Sequence, residues 1–115
     1  MSETTIFDKI LAGQIPADKV YEDEDILAFR DVNPQAPVHV LVIPKARVSR
    51  FALLPGQDPA TVGKLFQGAA RVARELGLDA DGYRVVVNNG EHGQQTVEYI
   101  HLHILGGRQM NWPPG

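Results

Sequence analysis

The stretch YIHLHILGGR, residues 99–108, alternates apolar side chains with a tyrosine and two histidines and ends in two glycines. Because successive side chains of a β-strand point to opposite faces, this stretch predicts a strand with one apolar face and one histidine face. The apolar face carries Ile100, Leu102 and Ile104, and the other face carries Tyr99, His101 and His103. The two histidines then lie side by side, with roughly 7 Å between their attachment points, on the side of the sheet away from the main helix.

The apolar pattern of the remaining chain predicts the other elements. Residues 6–11 form a short helix, capped by Ser2 or Thr4 and ended at Gly13, and residues 59–76 form a long amphipathic helix that begins after Asp58. Strands are predicted within residues 19–22, 26–30, 38–44, 83–90 and 98–107. Two helices and about five strands in hairpin-like order predict an α+β fold with an antiparallel sheet.

Length and composition limit the class of protein. With 115 residues, 43% hydrophobic and 22% charged, residues 1–115 fit a single globular domain. The net charge is −3 and the eleven basic residues are scattered, so we expect no nucleic-acid partner. The chain has no cysteine, no apolar stretch long enough for a membrane span and no signal-peptide pattern, so we expect a cytoplasmic protein without a membrane partner.

Three further features can be placed around the histidine pair. His39 lies in the predicted strand 38–44, and Asp31 follows the predicted strand 26–30, where its carboxylate can either cap the next loop or accept bonds from the two hydroxyls of a ribose. The loop of residues 88–97, NNGEHGQQTV, can bind an anion through its backbone or can be no more than a wide hairpin connection. Two neutral imidazoles can share a metal ion, a phosphate or a proton, and they can equally be solvated side chains.

Three long stretches of the sequence resemble the histidine triad (HIT) family, specifically its Hint branch of nucleotide-binding phosphoramidases. They are IFDKILAGQIPADKVYEDEDILAFRDVNPQAPVHVLVIPK at 6–45, GYRVVVNNG at 82–90, and GQQTVEYIHLHILGGRQMNWPPG at 93–115. The resemblance implies one five-stranded antiparallel sheet with two helices, joined to a second copy in a homodimer. It also implies hydrolysis of purine nucleoside 5′-monophosphate phosphoramidates, including adenylated amines and lysine, without a metal or another cofactor.

The resemblance also implies roles for individual residues. His101 would be the nucleophile that takes the nucleotidyl group, His103 and His39 would assist around the phosphate, and Thr96 would lie near the leaving group. Nucleotide-binding positions are implied for Asp31 at the ribose, Asn88 and Gln95 at the phosphate, Val97 beside them, and Ile6, Phe7, Ile10, Phe29 and Val32 around the base. Trp112 would reach toward the active site of the partner subunit.

One position departs from the family pattern, because the first histidine of the triad is replaced by Tyr99. A tyrosine still supplies the backbone carbonyl that helps to orient the nucleophile, but its phenol, with an ordinary pKa near 10, cannot shuttle protons as an imidazole does. We therefore expect a working but slower enzyme. Two alternatives stay open: a purine-nucleotide-binding regulatory module without catalysis, and a zinc protein that uses His39, His101 and His103 with no obvious carboxylate nearby.

Overall fold

The computed structural model describes residues 4–115, and its strands form one antiparallel sheet in the order β1-β2-β3-β5-β4. The helices are α1 (Ile6–Leu11) and α2 (Pro59–Glu75), with a 3-10 helix at Phe51–Gly56. The strands are β1 (Lys19–Glu22), β2 (Ile26–Arg30), β3 (Val38–Pro44), β4 (Arg84–Val86) and β5 (Leu102–Gly106). The predicted α+β class, with five strands and two α-helices, is confirmed for this part of the chain.

Helix α1 begins at Ile6 as predicted, but its N-cap lies one residue after the predicted Thr4. Thr5 is the N-cap, with the Asp8 amide donating to its hydroxyl at 3.3 Å and the Thr5 amide donating to the Asp8 carboxylate at 2.7 Å. These reciprocal bonds form a capping box and satisfy amides that the first helical turn leaves unpaired. The prediction of Thr4 as the cap is therefore wrong, and Ser2 lies outside the described residues.

Helix α2 covers one face of the sheet and begins, as predicted, at Pro59 with Asp58 as its cap. Its buried side packs against β2, β3 and β5. Gly68 permits the close approach, because a Cβ there would lie 2.4 Å from Cδ1 of Ile26. The buried members of this first core include Ile26, Val40, Val42, Leu65, Ala69, Val72, Ile100, Leu102 and Ile104. No helix within residues 4–115 has the length and apolar character that a membrane crossing needs.

Helix α1 covers the opposite face and creates a second, smaller core. Its Phe7 and Ile10 pack with Leu27, Phe29, Leu41, Ile43 and Tyr99. The predicted alternation is confirmed, since Ile100 lies in the first core and Tyr99 in the second. One detail of that prediction is wrong, because the ladder of β5 starts only at Leu102. The alternative of a solvated side chain does not hold for His101, which is 5% exposed.

Candidate active site

A cleft of about 620 Å³ opens beside α1, on the face of the sheet that carries the histidines. Its floor comes from β2, β3 and the start of β5, and its walls come from α1, the segment before β1, and the end of the loop that precedes His101. Most of its lining is apolar. The lining residues are Ile6, Phe7, Ile10, Ile15, Pro16, Ala17, Asp18, Phe29, Arg30, Asp31, Val32, Leu41, Thr96, Val97, His101 and His103.

His101 is held in one orientation at the end of this cleft. Its Nδ1 lies 2.7 Å from the carbonyl oxygen of Tyr99, and the ring of Phe7 meets it edge-on with 5.0 Å between centroids. Because a carbonyl can only accept, Nδ1 carries the proton and Nε2 keeps its lone pair. Burial lowers the pKa of His101, and the Tyr99 carbonyl opposes that shift. At neutral pH the ring is therefore an uncharged base with Nε2 free to react.

His39 and His103 form a hydrogen-bonded pair behind His101. The backbone N–H of Gln35 donates to Nδ1 of His39 at 3.0 Å, so the proton of His39 sits on Nε2. That Nε2 lies 2.9 Å from Nδ1 of His103, which accepts and leaves the proton of His103 on its own Nε2. A single backbone amide thus fixes the tautomers of both rings, and the direction of donation runs from β3 toward the cleft.

Nε2 of His103 is a buried donor with no hydrogen-bond partner among the described residues. The rings of His101 and His103 lie 4.9 Å apart between centroids. Burial, with the neighbouring His101 and His39, lowers the pKa of His103 to about 4. A buried N–H without a partner is costly unless a ligand oxygen accepts from it. The N–H of His103, close to the free nitrogen of His101, can therefore donate to a bound oxyanion.

Asp31 lies between the cleft and the histidine pair. One carboxylate oxygen accepts from the Asn33 backbone N–H at 2.8 Å, and the other lies 3.4 Å from Nε2 of His39. Burial lowers the pKa of His39, and the Asp31 carboxylate opposes that shift. Asp31 therefore holds the loop that follows β2, as the sequence suggested, while its side chain also lines the cleft.

The residues that could hold a metal ion in the structure differ from those of the zinc alternative, because Asp31 takes the place of His101. Donor atoms of Asp31, His39 and His103 all lie within 4.8 Å of one another, so a carboxylate does stand close to the imidazoles, contrary to the expectation from sequence. Nδ1 of His101 is bonded to the Tyr99 carbonyl. His39 and His103 share one proton between their facing nitrogens, so a cation in this cluster must first displace that hydrogen bond.

The side chain of Tyr99 does not face the cleft. It is 0% exposed, its hydroxyl donates to the Pro44 carbonyl, and its ring meets Phe7 edge-on at 5.9 Å. Burial, with the nearby Asp8 carboxylate, raises the pKa of Tyr99 to about 12 although Arg47 opposes this. The tyrosine contributes its backbone carbonyl to the site and its ring to the second core.

The remaining predicted residues divide into two groups. Ile6, Phe7, Ile10, Phe29, Val32, Thr96 and Val97 line the cleft, and Asn88, Gln95 and Trp112 do not. The Gln95 amide donates to the carbonyls of Ser49 and Val97 at 2.8 and 2.9 Å, and thereby holds its loop in place. Trp112 is 80% exposed and lies against the guanidinium of Arg84 in β4.

Sequence reasoning missed part of the cleft wall. Ile15, Pro16, Ala17 and Asp18, together with Arg30 and Leu41, line it without having been predicted. Leu41 was detectable, because it shares a strand face with His39 and is paired with His103 in the β3–β5 register. The segment 15–18 carries no periodic signal, and its position depends on how α1 packs across the sheet.

Comparison with known proteins places this geometry in a family. Residues 12–110 match the family model described as HIT domain. A protein of Zea mays named 14 kDa zinc-binding protein is 54% identical over 113 residues, covering 96% of this chain and 88% of the relative. Adenylylsulfatase HINT1 of Arabidopsis thaliana is 50% identical over 113 residues, covering 96% of this chain and 76% of the relative.

A solved structure agrees with the fold over nearly the whole chain. The crystal structure of a HIT family hydrolase from Legionella pneumophila Philadelphia 1 superposes with a TM-score of 0.93 at 46% identity, covering 97% of this chain and 100% of that one. The residues matched by the family model contain all five strands and the three histidines of the site. The resemblance noted in the sequence is thus confirmed, and the chain belongs to the HIT domain family.

Proposed function

We propose that this protein hydrolyses the P–N bond of purine nucleoside 5′-monophosphate phosphoramidates through a nucleotidyl intermediate on His101. The observation that carries the proposal is the pairing of a free lone pair on Nε2 of His101 with an unsatisfied N–H on His103, at the end of an apolar cleft. A nucleophile beside a donor for the phosphoryl oxygens is what transfer from phosphorus requires.

The cleft offers suitable contacts to a purine nucleotide. A base would lie among Phe7, Ile10 and Phe29, because a flat apolar ring is stabilised by burial against apolar and aromatic side chains. Asp31 would accept bonds from the ribose hydroxyls. Such an orientation directs the 5′-phosphate toward His101 and His103 at the other end of the cleft.

In the first step, Nε2 of His101 attacks phosphorus and a P–Nε2 bond forms as the bond from phosphorus to the substrate nitrogen breaks. The amine leaves with a proton taken from solvent, and Thr96 lies on the lining where it can orient the leaving group. The N–H at Nδ1 of His101 continues to donate to the Tyr99 carbonyl, and this hydrogen bond stabilises the imidazolium that forms. The N–H of His103 donates to a nonbridging oxygen.

In the second step, water attacks the same phosphorus and the P–Nε2 bond breaks. The electron pair returns to Nε2 of His101, a proton passes from the attacking water to solvent, and the nucleoside monophosphate is released. His101 regains its starting tautomer because the Tyr99 carbonyl has held the Nδ1 proton throughout. Neither step uses a metal or another cofactor.

The name of one relative favours a second leaving group. Adenylylsulfatase HINT1 is 50% identical to this chain, so adenylyl sulfate is a candidate substrate at the same cleft. Sulfate leaves phosphorus as a stable anion and needs no proton, whereas an amine does. The two candidates therefore share the nucleophile and the nucleotide contacts and differ only beyond the phosphorus.

A homodimer is part of the proposal. Strand β4 is three residues long and lies at the edge of the sheet, where its outer backbone groups can pair with another chain. Arg84 of this strand donates to the Asn111 carbonyl at 2.8 Å, which holds the tail carrying Trp112 at the same edge. A second copy joined along β4 would bring Trp112 of each chain close to the other subunit.

The decisive experiment compares wild type with His101→Ala on adenosine 5′-phosphoramidate and adenylyl sulfate, each with a chelator present. We expect the wild type to turn over at least one of them and His101→Ala to lose about 10³-fold or more, since the nucleophile is removed. Mass spectrometry of acid-quenched wild type should show the mass of one added nucleotidyl group, and none in the variant.

Other results would replace the proposal. Purine monophosphate binding without turnover or adduct indicates the non-catalytic regulatory module. Turnover that the chelator abolishes and zinc restores indicates the metal alternative, for which the Asp31, His39 and His103 cluster is the candidate. Turnover of adenylyl sulfate alone assigns the second leaving group.

The pH dependence follows from the lowered histidine pKa values. His101 reacts only when neutral, and burial lowers its pKa below the ordinary value of 6.5, so kcat/KM should change little from pH 8 to pH 7 and fall as the pH drops through that lowered pKa. Titration followed by NMR should place the pKa of His103 near 4. A rate that already falls between pH 8 and pH 7, with the fold intact by circular dichroism, would contradict this.

Tyr99 is tested with two substitutions. Tyr99→Phe removes the O–H donor to Pro44 and should cost about 1 to 2 kcal/mol of unfolding free energy, while kcat stays near wild type because the backbone carbonyl remains. Urea unfolding and steady-state kinetics measure the two effects. Tyr99→His tests the expectation of a slower enzyme, which an unchanged turnover number would contradict.

The dimer is tested by sedimentation equilibrium, with Val85→Arg as the variant. Val85 is 45% exposed in the middle of β4, and like charges brought together across a two-fold edge repel, so the variant should shift to monomer. Lys64→Arg, an exposed change on α2, is the matched control. A wild type that sediments as a monomer at all concentrations would contradict the homodimer.

A further inference from the structure

The segment of residues 97–101 leads into the nucleophile but lies outside the sheet ladder. Strand β5 begins at Leu102, so the Tyr99 carbonyl that orients His101 stands on irregular backbone. The Ile100 amide donates to the Val48 carbonyl at 2.7 Å, which ties the segment to the chain just after β3. The orientation of the nucleophile therefore depends on what else fixes this segment.

Arg47 contacts the segment at two points. One guanidinium nitrogen donates to the Glu98 carbonyl at 2.9 Å, one peptide before Tyr99, and the guanidinium carbon lies 5.6 Å from the centre of the Tyr99 ring. The side chain of Arg47 is 24% exposed, so these contacts are partly shielded from water. Both contacts restrain the residue whose carbonyl bonds His101.

Arg47 also contacts the second support of His101. Its other terminal nitrogen lies 3.0 Å from the Asp8 carboxylate, which belongs to the capping box of α1. The neighbouring Phe7 meets the rings of both Tyr99 and His101 edge-on. A single guanidinium thus joins the backbone that accepts from His101 to the helix that packs on it.

We propose that Arg47 is a positioning residue for His101, which holds the Tyr99 carbonyl and helix α1 in the arrangement that keeps the nucleophile in its Nδ1–H tautomer. The kinetic part of this inference rests on the proposed function, and the tautomer part does not. Arginine suits the role because its planar fork reaches two acceptors at fixed angles, which a lysine ammonium on a flexible stem does not reproduce.

The experiment measures the tautomer of His101 directly, by ¹⁵N shifts of its ring nitrogens, in wild type, Arg47→Met and Arg47→Lys. We expect one tautomer protonated at Nδ1 in wild type, averaging between the two tautomers in Arg47→Met, and an intermediate result in Arg47→Lys. With the substrate that wild type turns over, kcat should fall about tenfold or more in Arg47→Met, with KM changed less than about twofold.

Arg50→Met is the matched control. Arg50 lies three residues further on and pairs with the carboxylate of the same Glu98, at the exposed surface, and does not bond its backbone carbonyl in the structure. It should leave both the tautomer and kcat at wild-type values. Equal effects of Arg50→Met and Arg47→Met would overturn the proposal, since they would show that general loosening of the segment is enough.

A single Nδ1–H tautomer in folded Arg47→Met would also overturn the proposal. If Arg47→Met does not fold, Arg47→Lys decides: averaged tautomers support the positioning role, and wild-type tautomer and turnover contradict it. If the wild type hydrolyses no substrate, the proposed function fails while the tautomer comparison still tests Arg47.

Discussion

The hydrogen bond from Nδ1 of His101 to the Tyr99 carbonyl is the constraint on which the chemistry of this site depends. It turns an ambiguous imidazole into a base with a defined free nitrogen, and it does so with a backbone acceptor that no side-chain substitution removes. For this reason we expect the replacement of a triad histidine by tyrosine to leave the orientation of His101 unchanged. Position 99 serves the site through its peptide group and the second core through its ring.

The tautomers of His39 and His103 are also fixed by a group of the backbone. One backbone amide, that of Gln35, determines the proton positions of His39 and then His103, so the polarity of the pair is set by the loop that follows β2. Asp31 anchors the start of that loop and faces the cleft. A ligand bound at Asp31 would thus be connected to the order of the histidine pair through a few residues of one loop.

The sequence was sufficient for the elements of the fold, because period-2 alternation in residues 99–108 and the helical period of α2 are both strong signals. It did not reveal that α1 buries the histidine face, since a six-residue helix has too few apolar positions to show what it covers. Nor did it reveal Arg47, whose partners Asp8 and Glu98 are 39 and 51 residues away along the chain. Contacts between side chains so far apart along the chain leave no periodic trace in a single sequence.

The shortness of α1 has a consequence for how the cleft is kept open. A helix of six residues is unstable in isolation, because the cost of its first turn is not recovered over so few bonds. The order of α1 therefore depends on its packing on the sheet, its capping box and the contact between Asp8 and Arg47. One wall of the cleft therefore owes its order to tertiary contacts. A ligand that packs against Phe7 and Ile10 adds its own binding free energy to the folding of that wall. Ligand binding and the local folding of α1 are therefore thermodynamically linked.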